Sequence, residues 1–181
     1  MLANISLAVR AAAATLLAVA ALQASAQSKF DEDFDDQNKP WEEIAVQLPP
    51  APKTENLIPF YVSATATQQF AIDTASVSVG ADGVVRYTVV ATSEAGAKNV
   101  SYEGIRCQSY ERKLYAFGRP DGSWSRSRRD KWERIAGNTA NRYHAALFKD
   151  LFCDETAVAG SAKDIVARVR HNKSLGPQDA Y

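Results

Sequence analysis

The chain has 181 residues, with 21 Lys+Arg balanced by 21 Asp+Glu, so its formal net charge is zero. That balance excludes the strongly basic character of a dedicated nucleic-acid binder. Two histidines and two cysteines are a poor supply for a thiolate or imidazole metal centre, and neither a metal nor a cofactor is expected.

Residues 1–26 read as a secretory signal peptide. Arg10 gives the positive flank, Ala11 to Leu22 the apolar core, and Ala24-Ser25-Ala26 the small-x-small cleavage pattern, so the mature chain is expected to begin at Gln27. The apolar run is shorter than the about 20 residues of a membrane span. No cysteine follows the cleavage site, so no lipid anchor is expected. Residues 27–40 form an acidic lead: residues 31–43 hold seven acids and the single base Lys39. Residues 106–134 hold nine bases and four acids, so the lead is either solvated or folded back onto that region.

"WEEIAVQLPPAP" predicts a short strand ended by Pro49, Pro50 and Pro52, which cannot donate ladder hydrogen bonds. "NLIPFYVSA" predicts a short edge strand interrupted by Pro59. In "FAIDTASVSVGADGVVRYTVVATS", Ala71, Ala75, Val77 and Val79 alternate with polar residues before the turn, and Val85, Tyr87, Val89 and Ala91 after it. This period of two marks strands with one buried face. A two-residue Asp82-Gly83 loop would mix the faces. A three-residue Ala81-Asp82-Gly83 loop sets Val79 opposite Val85 and Val77 opposite Tyr87, with Gly83 at the position that needs a positive φ.

"EAGAKN" and "RPDGS" mark two further turns, and Gly104 between them marks a bulge or a close packing contact. "WSRSRRDKWERI" returns as a strand or irregular edge, completing an antiparallel meander. The period then changes. Asn138 or Asn141 is positioned to cap a helix through "RYHAALFKDLF", with Tyr143, Leu147 and Leu151 spaced at i+4 beside Phe148 and Phe152. Ser161 and Asp164 resemble a capping box before "AKDIVARVR", with Ile165, Val166 and Val169 inward. Residues 173–181 read as a flexible tail. An exported chain with one cysteine pair is expected to join Cys107 to Cys153, a structural bridge rather than a redox site.

The strings "DGVVRYTVVATSEAGAKNVSYEGIRC", "ERKLYAFGRPDGSW" and "KWERI" resemble the CNP-like (cryptic neisserial protein) family, exported bacterial envelope proteins of uncharacterised function. The resemblance runs from about Trp41 to Asn172. It implies one periplasmic envelope domain, residues 41–172, from a Gram-negative bacterium, and it transfers no catalytic residue.

No phosphate-cradling, dinucleotide or nucleophile-elbow motif occurs. Glu103 and Glu111 lie eight residues apart, about 26 Å along an ideal strand, too far for paired-carboxylate hydrolysis. Glu103 is instead expected as a buried ion-pair partner of Arg106 or another arginine. His144 is expected to pack beside the core with Phe148 and Phe152. The remaining candidate is a binding face: Arg119, Arg126, Arg128, Arg129 and Lys131 among Tyr115, Phe117, Trp124 and Trp132. Guanidinium groups clamp phosphate or carboxylate, and aromatic faces stack on rings. The competing reading is a charged edge that prevents sheet-to-sheet aggregation.

The expectation is therefore an α+β fold: a curved antiparallel sheet of about five to seven strands with two C-terminal helices on one face. The expected function is a non-enzymatic binding or interaction module of the cell envelope. Its partner would be an acidic lipid headgroup, lipopolysaccharide, peptidoglycan or protein. The alternatives are a hydrolase acting through carboxylates, betrayed by a pocket gathering Glu103, Glu111 or His144, and a structural assembly subunit, betrayed by an exposed apolar patch.

Overall fold

A computed structural model describes residues 40–129, 131–136 and 142–175. The expected signal peptide, the acidic lead to residue 39 and both proposed helix caps, Asn138 and Asn141, lie outside the described residues. Contacts divide the chain at Glu43, and Glu43 onward is one compact unit.

Seven strands form an antiparallel sheet in chain order: β1 (Leu57–Phe60), β2 (Gln68–Val79), β3 (Val84–Ser93), β4 (Lys98–Arg106), β5 (Glu111–Gly118) and β6 (Trp124–Arg126). The seventh, β7 (Glu133–Arg134), pairs with the start of β5 while β6 pairs with its end. The edge strand β1 carries Pro59 exposed at its centre, where a missing N–H is tolerated.

One turn design repeats. Gly80 N donates to Val84 O, Ser93 N to Ala97 O, and Arg119 N to Ser123 O, so each hairpin closes over three residues. The third loop residue is Gly83, Gly96 or Gly122, at φ of 73°, 83° and 83°. This left-handed position is open to glycine without a Cβ penalty. At the first turn Val79 faces Val85, as a three-residue loop requires.

The expected alternation of β2 fails further back. The register shifts between Asp73 and Ser78, so the inward residues are Phe70 and Ile72 on one side of the irregularity and Val77 and Val79 on the other. Ala75 is exposed. The cause is a side chain replacing the backbone in the ladder. Ser76 Oγ accepts the Thr88 N–H at 2.8 Å and donates to Asp73 O at 2.8 Å.

The inner face of the sheet presents Phe70, Ile72, Val85, Tyr87, Val89 and Ile105 to a core shared with the C-terminal segments. There α1 (Tyr143–Ala146) runs into a π-helical turn, Leu147–Phe152. Its i→i+5 bonding lets Leu147, Leu151 and Phe152 share one face, and all three are buried. A small hairpin, β8 (Cys153–Asp154) with β9 (Ala157–Val158), leads to α2 (Ala162–Arg170). Ser161 and Asp164 form the expected capping box, and Ile165 and Val169 are buried while Val166 is half-buried. Leu175 N donates to Asp150 O. Cys107 and Cys153 are joined, tying the end of β4 to the end of the π turn.

The opposite face of β3 is buried too, including Val84, Arg86 and Thr88. Residues 43–52, expected to contain a strand, form no ladder. They run instead as a strap over this outer face. Ile44 N donates to Asp82 Oδ2 near the β2–β3 turn, and Pro49 O accepts from Trp124 Nε1 on β6. Crossing the strands rather than lying beside one leaves no edge for pairing. The fold is α+β: mostly antiparallel sheet, with two short helices. Among the described residues no helix is long and apolar enough to cross a membrane.

Candidate functional site

Two polar clusters and one exposed edge carry the chemistry. The first cluster lies on the inner face, where the β3–β4 register sets Tyr87 opposite Glu103. Glu103 is only 3% exposed. Its Oε1 accepts from Ser101 Oγ at 2.6 Å and Tyr143 OH at 2.8 Å. Its Oε2 accepts from Tyr87 OH at 3.0 Å and lies 2.7 Å from His144 Nε2. Burial pushes the carboxyl up, but the His144, Ser101 and Tyr143 bonds outweigh it and hold the group at about 2. An ionised carboxylate only accepts, so Nε2 of His144 carries the proton. Burial, and then the Glu103 charge, push the Tyr87 and Tyr143 hydroxyls well above the usual phenol range, so both remain donors.

This corrects two expectations. The partner of Glu103 is a histidine with three hydroxyls, not an arginine; Arg106 turns to Glu111 and Gln108. His144 does more than pack: it fastens α1 to the sheet. A long, flexible arginine is not needed because α1 brings the imidazole directly over β4. Glu103 and Glu111 are not brought together, since Glu111 pairs with Arg106 at 3.9 Å.

The second cluster lies under the strap. Arg86 clasps Asp82 in a fork, Nη1 to Oδ1 at 3.1 Å and Nη2 to Oδ2 at 2.6 Å. Glu43 sits 3.6 Å from Arg86 and accepts from Lys113 Nζ at 2.8 Å and Tyr115 OH at 2.6 Å. Burial raises Asp82, but the Arg86 and Ile44 hydrogen bonds overcome it and leave the carboxyl below its ordinary value. Gly104 makes room for the Tyr115 ring: a Cβ there would stand 2.5 Å from the phenol oxygen. Glu43, three residues beyond the acidic lead, thus pairs with Lys113 of the basic region.

The sequence-selected binding residues divide. Tyr115 is buried and committed to Glu43. Trp124 is half-buried, its indole N–H fixed on Pro49 O. Arg119, Arg126, Arg128, Arg129 and Lys131 are exposed on and around β6, and none makes a salt bridge among the described residues. Ser127 N donates to Tyr115 O, and the chain pairs with β5 again at β7. Beside this edge lies a cavity of about 400 Å³ lined by Trp124, Val100, Pro52, Lys98 and Arg119, with the Pro120–Gly122 turn on one side.

Sequence reasoning named His144 with Glu103 only in the hydrolase alternative, and missed Tyr87, Tyr143 and Ser101 around Glu103 and Glu43, Asp82 and Arg86 on the other face. A Glu in the middle of a strand was the only signal for the first group. Nothing local pairs Glu43 with Lys113, 70 residues away.

A family model described as the CNP1-like family matches residues 36–170. No curated protein and no solved structure matches the chain.

Proposed function

We propose a function from one premise, that the chain belongs to the CNP1-like family: it is an exported, periplasmic, non-enzymatic module that binds an acidic component of the cell envelope. The observation that carries this reading is the run of five exposed cations, Arg119 to Lys131, around β6 without an ion-pair partner among the described residues. Structural arginines are normally paired, as Arg86 and Arg112 are here. Unpaired guanidinium groups beside a half-buried tryptophan are suited to phosphate or carboxylate. The hydrolase alternative finds Glu103 and His144 together at 2.7 Å, but not as a free acid and base. Its two carboxylates point to different partners, and the acceptor sites of Glu103 are taken by four donors.

The test is photo-crosslinking in intact cells followed by affinity capture, comparing the native protein with a variant carrying Arg126→Glu, Arg128→Glu and Arg129→Glu. The expected result is a defined acidic lipid, glycan or protein captured by the native form and lost from the variant. Equal capture by both would move the contact away from this edge. Absence of any specific capture would overturn the binding role.

A further inference from the structure

We infer that the cavity beside Trp124 is a binding site for a phosphorylated sugar, an inference that rests on reading this edge as a binding face and names what enters it. The floor of the cavity is a row across neighbouring strands, Val100 on β4, Gly118 on β5 and Trp124 on β6. Gly118 opens it: a Cβ there would sit 2.8 Å from Val100 Cγ1 and 3.6 Å from the Trp124 ring. Ala51 and Pro52 of the strap form one wall, held in place because Pro49 O is fixed by the Trp124 indole at 2.7 Å. The Arg119–Gly122 turn forms the other, closed by Gly122 N donating to Arg119 O and Arg119 N to Ser123 O. The shape is therefore built by hydrogen bonds, not left by loose packing.

The lining combines flat apolar surfaces, Trp124, Pro52 and Pro120, with two cations, Lys98 and Arg119. Neither cation makes a salt bridge among the described residues. The nearby acid, Asp121, turns its carboxylate back onto Ser123 N and Oγ, at 2.9 and 2.6 Å, and is only an electrostatic neighbour of Arg119. A volume of about 400 Å³ suits one small ring rather than an extended chain. Flat apolar faces accept the C–H face of a pyranose. Two cations match a phosphomonoester, whose charge near neutral pH is about −1.5 to −2, better than a single carboxylate. Arg119 supplies a fork for two phosphate oxygens and Lys98 a point charge.

The experiment is calorimetric titration of the native protein with glucosamine 6-phosphate, glucosamine and inorganic phosphate, repeated on a Lys98→Glu, Arg119→Glu double variant. Both positions are exposed, and an unchanged melting temperature verifies the fold of the variant. Glucosamine 6-phosphate is expected to bind the native protein at least about tenfold more tightly than either fragment, and the double variant at least about tenfold more weakly. Failure of the native protein to bind it, inorganic phosphate binding equally well, or undiminished binding by the variant would each overturn the inference. Vesicles bearing a phosphorylated glycolipid and a soluble phosphorylated polysaccharide, tested in parallel, assign the source of the sugar. Intact envelope capture without sugar-phosphate binding would sink this inference alone; loss of both would take the binding face with it.

Discussion

Replacing Glu103 by glutamine keeps its shape but leaves Tyr87, Ser101, Tyr143 and His144 aimed at a neutral amide that also brings two donors of its own. Glu103→Gln is expected to lower stability by about 2–4 kcal/mol, read by chemical denaturation. The pH dependence has a definite sign. The folded carboxyl titrates at about 2 against an ordinary value of 4.5, so its contribution is fully present above about pH 4.5 and is lost as pH falls toward 2. The full difference is on the order of 3 kcal/mol. Native stability should therefore drop more steeply through that window than that of the glutamine variant, which keeps only the slope of other depressed carboxyls such as Asp82, and the gap between them narrows in acid. Parallel pH profiles for the two proteins would refute the assignment. Burial of Glu103 was legible from its mid-strand place, and Ser101 shares its face of β4 at i−2, but Tyr143 and His144 come from a helix 40 and 41 residues on, which no spacing along β4 discloses.

Elements were legible where the signal is local. The three turns are written as Ala-Asp-Gly, Glu-Ala-Gly and Pro-Asp-Gly, each with glycine last, and the structure places each of those glycines at positive φ. Around Gly83 and Gly96 nothing lies within 4 Å of an added Cβ. Alanine there meets only the backbone penalty of the left-handed conformation, so Gly83→Ala and Gly96→Ala should each cost about 1–2 kcal/mol in equilibrium unfolding. A neutral result at both would remove the conformational argument. The capping box of α2 was equally plain, because Ser161 and Asp164 sit three residues apart. The irregularity in β2 was not: apolar alternation looked continuous, and only the insertion of the Ser76 hydroxyl between Asp73 and Thr88 changes which residues face inward. The strap was misread as a strand because "WEEIAVQL" has strand composition. Its position is set by Glu43, Ile44 and the Pro49 carbonyl reaching Lys113 on β5, Asp82 in the β2–β3 turn and Trp124 on β6, all distant in sequence.

Within the unit from Glu43 onward, helices cover one face of the sheet and a strap crosses the other, where β3 is buried, and one disulfide ties the described residues together. Cys107 and Cys153 enclose a separation of 46 residues, for which the chain-entropy estimate is about 4 kcal/mol. Replacing both by alanine is expected to lower unfolding stability by about that amount without changing ligand capture at the β6 edge, which lies on other residues. Loss of capture in a folded double-alanine variant would show that the edge depends on the bridge. The uneven charge was legible in the sequence behind a net charge of zero, but not its division: Glu43 neutralises Lys113, while the cations around β6 have no salt bridge among the described residues. The chain-order pairing of β2 to β5 also fixes when Glu103 loses its water. Each hairpin joins neighbours along the chain and closes on a timescale of about 1–10 μs, whereas His144 must arrive from 41 residues away. During sheet formation the carboxylate therefore remains hydrated and ionised. The sheet itself supplies Ser101 and Tyr87 to the carboxylate, and docking of α1 then replaces the remaining water with Tyr143 and His144, so slow amide exchange across the α1–β4 seam should appear only once it has occurred.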